Sequence, residues 1–151
     1  MKFKGSDNIL DYLQEVVHLD TQQHDNHIDL TVSEIYELTE AGSLDFGGSE
    51  FQPAEQRLID PQKKNQDDDY GWWHLRAGQY QAKLNEYLTD LNGAVALLTL
   101  HKHAREAGIL GNTSILSGNA DETLTINFEV PKAGCNIKEN ARIATLYLLD
   151  Q

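Results

Sequence analysis

The 151-residue chain has one cysteine, three prolines, no long apolar run, and half as many basic residues as acidic ones. A lone Cys135 forms no intramolecular disulfide and leaves no cysteine pair for a structural zinc site, so the chain reads as cytoplasmic. The longest apolar run, Ala94 to Leu98, falls far short of the ~20 residues that a membrane-crossing helix needs. Met1-Lys2-Phe3-Lys4-Gly5-Ser6-Asp7 leads straight into an acidic amphipathic pattern and lacks the apolar core of a signal peptide. Twelve Lys and Arg against 24 Asp and Glu give a formal charge of −12, which argues against nonspecific binding to nucleic acid or anionic membrane. A small anionic ligand remains compatible, because clustered cations outweigh carboxylates lying beyond a Debye length of ~8 Å.

What is present is apolar and aromatic enough for a core. The hydrophobic fraction of 40%, with two Trp, six Tyr and four Phe, excludes wholesale disorder, and the length suits one domain over 1–151. Ser6 is a suitable N-cap, and Ile9, Leu13, Val16 and Val17 recur at helical spacing, predicting a helix over about 7–18. After a polar turn (21–26), His27-Ile28-Asp29-Leu30-Thr31-Val32 alternates as a short strand, with Asp29 on the face opposite the apolar residues, beside His27 and Thr31. Short extended pieces punctuated by Gly42, Gly47 and Gly48 fill 35–51, and 55–60 predicts another strand. The polar run 62–69, ending in Asp67-Asp68-Asp69, lacks the alternating ligands of a calcium loop and reads as solvated.

Order returns at Tyr70-Gly71-Trp72-Trp73-His74-Leu75. Adjacent tryptophans on a strand point to opposite faces, so one can enter the core while the other packs elsewhere. Arg76–Gln79 then makes a turn, and 80–84 returns as a strand. Further on, Leu124, Ile126, Phe128 and Val130 alternate with polar residues and leave Glu129 on the non-core face, while 141–149 is almost continuously apolar. Many short strands with glycine turns predict an all-β jelly roll or barrel with a short N-terminal helix.

The central stretch, Asn92 to Asp121, carries the most polar chemistry. A buried strand at 94–100 delivers His101, Lys102, His103 and Arg105 into a turn, and a second extended run ends in Ser117-Gly118-Asn119-Ala120-Asp121. Each of these residues also has a plain structural reading. Asp121 suits a turn, Glu129 a cross-strand pair, and Arg142 a subunit contact. His101 and His103 face one way on an extended chain, with no third metal ligand evident nearby.

Taken together, several segments resemble the superfamily of dUTPase and dCTP deaminase. Trp73-His74-Leu75-Arg76-Ala77-Gly78-Gln79-Tyr80, followed by Asn85-Glu86-Tyr87, is similar to the deaminase segment in which a leucine precedes a Pro-Gly-Glu-Phe/Tyr turn and a strand. The run from Ile137 to Leu146 is similar to the family's Gly-x-Arg-Ile-Ala-Gln-Leu strand, and Ile28-Asp29-Leu30 falls where the family keeps an early Asp-Leu. The central stretch lies where the family keeps its nucleotide-binding motifs.

This resemblance implies a distorted jelly-roll (β-clip) subunit and a homotrimer with nucleotide sites between subunits. It also implies a deoxynucleoside triphosphate substrate carrying Mg²⁺, with Asp29 near the metal-bound triphosphate. His101, Lys102, Arg105, Arg142 and Thr145 would then hold phosphate or nucleotide. Asp121 would be the base of a dUTPase if Gly118-Asn119-Ala120-Asp121 matches the family's Gly-x-Ile-Asp, and Glu129 the base of a deaminase if Gly108 aligns without gaps. That second alignment puts Asn119 at the Asp and Glu106 at the deaminase Arg. The departures point the other way. The family's Arg-Ser-Ser turn is His101-Lys102-His103 here, its final-strand Gln is Thr145, and this sequence stops at Gln151 where both enzymes continue into a closing tail. A non-catalytic nucleotide-binding or structural homotrimer is therefore the alternative.

Overall fold

The structure, a computed structural model, describes residues 2–118 and 121–149. Among them the elements run α1 (Ser6–Leu10), β1 (Leu13–Gln14), α2 (Leu19–Gln22), β2 (Ile28–Glu40), β3 (Glu55–Ile59), β4 (Trp72–Leu75), β5 (Gly78–Leu88) and β6 (Val95–Leu100). They continue with α3 (Lys102–Glu106), β7 (Leu110–Gly111), β8 (Ser114–Ser117), β9 (Glu122–Val130), β10 (Cys135–Lys138) and β11 (Arg142–Leu149).

Period-two alternation builds most of this. β5 buries Tyr80, Ala82, Leu84, Glu86 and Leu88 along one face, and β9 answers with Leu124, Ile126, Phe128 and Val130. One nine-stranded sheet runs β7-β9-β5-β2-β11-β6-β8, with β1 added on β5 and β3 on β2, while β10 and β4 form a separate pair. The sheet curls into a half-barrel around its core, and the fold is mainly β, as the alternation predicts.

Strand β2 is the pivot. Its first residues, Ile28 to Thr31, pair with β11, whereas Val32 to Glu37 pair with β5 and Ile35 to Glu40 with β3. The change of neighbour comes with a register shift between Val32 and Glu34. A strand that switches partners at an irregularity turns a sheet corner. That shift also hides the strand's true length in the sequence: the reading of a strand over 27–32 and short pieces from 35 is corrected to one strand reaching Glu40.

Two more local expectations are corrected. The predicted helix over 7–18 stops at Leu10, because Leu13 and Gln14 pair with Leu88 and Tyr87 of β5. A short isolated helix is costly to nucleate, so cross-strand pairing wins where it is available. The turn after β6 contains a single helical turn, α3, capped by the His101 side chain, which accepts the His103 backbone N–H. Of the tryptophans, Trp73 is buried and donates its indole N–H to the Ile59 carbonyl at 2.8 Å. Trp72 faces the other way, half-buried, under the Lys64 and Lys138 ammonium groups. No helix of the described residues is long and apolar enough to cross a membrane.

Candidate functional site

Asp29 is the floor of a polar cavity of about 420 Å³ beside the end of β6. Neighbouring strands set its walls by register. Thr145 on β11 lies directly opposite Asp29 on β2, and Thr99 on β6 directly opposite Thr145. Regular pairing onward from Thr145 and Asp29 would put Ile143 opposite Thr31. Instead the register slips between Arg142 and Ala144, and Arg142 takes that place. The irregularity therefore turns a guanidinium, rather than an isoleucine, onto the face that carries Asp29.

The carboxylate is 1% exposed, and its Oδ2 accepts from His24 Nε2 at 2.9 Å, Arg142 Nη1 at 3.1 Å and His101 Nε2 at 3.2 Å. Its Oδ1 has weaker company, Thr145 Oγ1 at 3.4 Å and His27 Nε2 at 3.9 Å. His101 Nδ1 accepts the His103 backbone N–H, so its ring proton sits on Nε2 and is donated to Asp29. Burial alone would raise the Asp29 carboxyl. Hydrogen bonds from His101 and His24 outweigh that and hold it well below the ordinary carboxylate range. Burial, then the neighbouring His24, lowers the His27 imidazole, against an upward pull from Asp29. A carboxylate so firmly held is a weak proton acceptor and a good fixed negative charge.

Cations crowd the rim. Lys102 and Arg105 follow His101 on α3, and Arg105 is anchored by donating Nη1 to the Leu100 carbonyl at 3.0 Å. An apolar groove of about 220 Å³ adjoins the cavity and shares His103 and Arg142 with it, with Trp72 among its lining residues. Behind the floor runs a second buried network, in which Gln22 donates Nε2 to the Asp29 carbonyl at 2.8 Å and to Glu86 Oε2 at 3.1 Å.

The structure thus brings Asp29, His101, Lys102, Arg105, Arg142 and Thr145 to one cavity. It does not bring Asp121 or Glu129 there. Asp121 has positive φ and accepts the Tyr87 hydroxyl at its backbone carbonyl and its side chain, while Glu129 is exposed opposite Gln79 and Leu110. Asn119, in the alternative alignment, lies outside the described residues. Sequence reasoning missed His24 and Tyr147 as lining residues, named His103 as a turn residue without a phosphate role, and placed His27 only on the Asp29 face. The spacing His24-x-x-His27-x-Asp29 was the available signal.

No family model matches the sequence. A protein of Methanosarcina acetivorans named "Probable deoxyuridine 5'-triphosphate nucleotidohydrolase" is 27% identical over 138 residues, covering 89% of this chain and 75% of the relative. A protein of the same name from Methanosarcina mazei is 28% identical over the same length, with the same coverage. The crystal structure of 2'-deoxycytidine 5'-triphosphate deaminase from Agrobacterium tumefaciens superposes with a TM-score of 0.65 at 10% identity, over 97% of this chain. This chain spans about half of that deaminase, 47% of its length. The chain is thus similar in sequence to proteins named as dUTP nucleotidohydrolases, and similar in fold to a dCTP deaminase.

Proposed function

We propose that the chain is a deoxynucleoside triphosphate-processing enzyme that either hydrolyses dUTP or deaminates dCTP. One observation carries the reading. In a chain of net charge −12, Lys102, Arg105 and Arg142 gather around one cavity. Such a local reversal of charge serves a polyanion, with arginine contacting phosphate through paired donors and lysine as a point charge. The neighbouring apolar groove offers the nucleoside a place within reach of the same Arg142.

Mg²⁺ belongs in this reading to the substrate. It favours six oxygen ligands, and Asp29 is the one carboxylate among the described lining residues. The carboxylate that activates water must come from elsewhere, and Asp121 and Glu129 are the candidates, supplied by another copy in a homotrimer. The absence of an uncommitted carboxylate among the described lining residues is what favours the second reading, a non-catalytic nucleotide-binding or structural trimer. A cytoplasmic location suits either.

The experiment is to incubate the protein with each deoxynucleoside triphosphate and Mg²⁺ and to follow pyrophosphate and ammonia separately. Pyrophosphate from dUTP marks the hydrolase, and ammonia from dCTP the deaminase. Binding without turnover marks the second reading. Failure to bind either nucleotide at millimolar concentration overturns the phosphate assignment of the cavity.

A further inference from the structure

One short segment of the cavity wall presents a donor set that suits neither Mg²⁺ nor a bare phosphate. His24, His27 and Asp29 each offer one ligand atom, and these atoms lie within 4.8 Å of one another. Two imidazole nitrogens and a carboxylate oxygen converging from one side, with the opposite side open, form the ligand pattern favoured by first-row transition metals. Ligand atoms at ~2.0–2.2 Å from a tetrahedral ion sit about 3.4 Å apart. Here His27 Nε2 stands 3.9 Å from Asp29 Oδ1, and His24 Nε2 stands 2.9 Å from Oδ2, a hydrogen bond whose proton His24 gives up on ligating an ion.

The ligands are held in place before any ion arrives. The His24 backbone N–H donates to the His27 carbonyl at 3.0 Å, closing the loop between them. Their rings stack with centroids 4.7 Å apart and planes 20° from parallel, and the His27 ring also packs against Tyr147, centroids 5.3 Å apart. Asp29 is oriented through Oδ2 by Arg142 and His101, which leaves Oδ1, the oxygen nearer His27, with only the long contact from Thr145. Partners that fix one oxygen of a carboxylate while the other stays available are the usual support of a metal ligand.

We propose that His24, His27 and Asp29 form a binding site for a divalent transition metal such as Zn²⁺ or Co²⁺. Its remaining coordination positions open onto the cavity, where water or a phosphate oxygen completes them. The metal site rests on these residues alone; only its completion by phosphate rests on the nucleotide reading.

The test uses the full chain, freed of metal by chelation and titrated with Co²⁺ alone. A visible d–d absorption saturating at one ion per chain is expected, lost on adding Zn²⁺ and unaffected by millimolar Mg²⁺. His24→Gln and His27→Gln are each expected to weaken Co²⁺ binding by at least ~10-fold, the loss that follows even from removing a residue that merely supports a ligand. Both side chains are partly exposed, 41% and 27%, so neither change threatens the core, and His74→Gln on the exposed face of β4 serves as the unchanged control. No Co²⁺ bound at 100 μM (roughly the weakest affinity of interest for a built site), or equal affinity in wild type and both variants, overturns the site. Calorimetry with dUTP and dCTP on chelated samples separates the two claims. Nucleotide binding without Co²⁺ binding overturns the metal site alone, and Co²⁺ binding without nucleotide binding overturns the phosphate reading alone.

Discussion

Glu86 receives two hydrogen bonds from Thr31, the backbone N–H at 2.8 Å and the hydroxyl at 2.7 Å, at the point where β2 leaves β11 for β5. A buried carboxylate thus takes the place of a strand partner at the sheet corner. Its position in the core-facing row of β5, at 0% exposure, follows from that task.

Glu86→Gln tests this. The amide has one oxygen, which can accept from Thr31 N–H or from Gln22 Nε2 but not from both. Gln22 cannot flip to help, because its Oε1 already accepts the His18 N–H and its Nε2 serves the Asp29 carbonyl. One buried donor is left without a partner, a loss of about 1–3 kcal/mol. Urea denaturation at neutral pH is the measurement.

Asp29 and Glu86 pull the acid limb of stability in opposite senses. The Asp29 carboxyl is lowered in the folded chain, so its contribution is full above the unfolded value of ~3.9 and is lost as pH falls through the folded value. Burial raises Glu86, against hydrogen bonds from Thr31 and Gln22. Its contribution is full below the unfolded value of ~4.3 and is lost as pH rises through the folded one. The stability gap between wild type and Asp29→Asn should therefore shrink on acidification, while the gap to Glu86→Gln should widen. Denaturation curves at a series of pH values from 7 to 3 (roughly the span of the carboxylate titrations) check both, and parallel gaps would refute the opposed environments.

The alternation of β5, β9 and the core face of β2 was legible because period two survives wherever pairing is regular. The N-terminal helix was misjudged because Ile9, Leu13 and Val16 fit helical spacing, while the competing offer to Leu13 and Gln14 comes from Leu88 and Tyr87, far along the chain. The site was half legible. His27 and Asp29 share a face by simple alternation, but nothing local announces that Arg142, 113 residues away, is turned onto that face by a register slip. Burial of Asp29 was invisible for the same reason, since its partners arrive from β11 and from the end of β6.

The tryptophan pair gives a prediction about the core. Trp73→Ala removes a side chain that is 2% exposed and leaves the Ile59 carbonyl without its donor, for a loss of about 3–5 kcal/mol. Trp72→Ala, half-buried on the opposite face beneath two ammonium groups, should cost only about 0.5–2 kcal/mol, the range of cation–π contacts from exposed to desolvated. Thermal unfolding of the two variants should rank them in that order.

The last prediction concerns the proton acceptor of the proposed reaction, since Asp29 is the one carboxylate among the described lining residues. Asp29 is fixed by Arg142 and His101, so the proposed reaction would draw on a second carboxylate with freedom to take a proton from water. Asp121 and Glu129 are exposed and stand on different parts of the subunit, one beside Tyr87 and the other on β9 opposite Leu110. If the protein hydrolyses dUTP through Asp121, Asp121→Asn should lower turnover ~10²–10⁴-fold, the usual cost of losing a general base, with Glu129→Gln mild. If it deaminates dCTP through Glu129, the order reverses. Asp121→Asn keeps a side-chain acceptor for the Tyr87 hydroxyl, so the fold is preserved and the rate reports on chemistry. Rates of pyrophosphate and ammonia release from both variants decide between them. Equal and negligible effects on a measurable activity would remove both residues from the reaction, while nucleotide binding with no activity in wild type would leave the non-catalytic trimer standing.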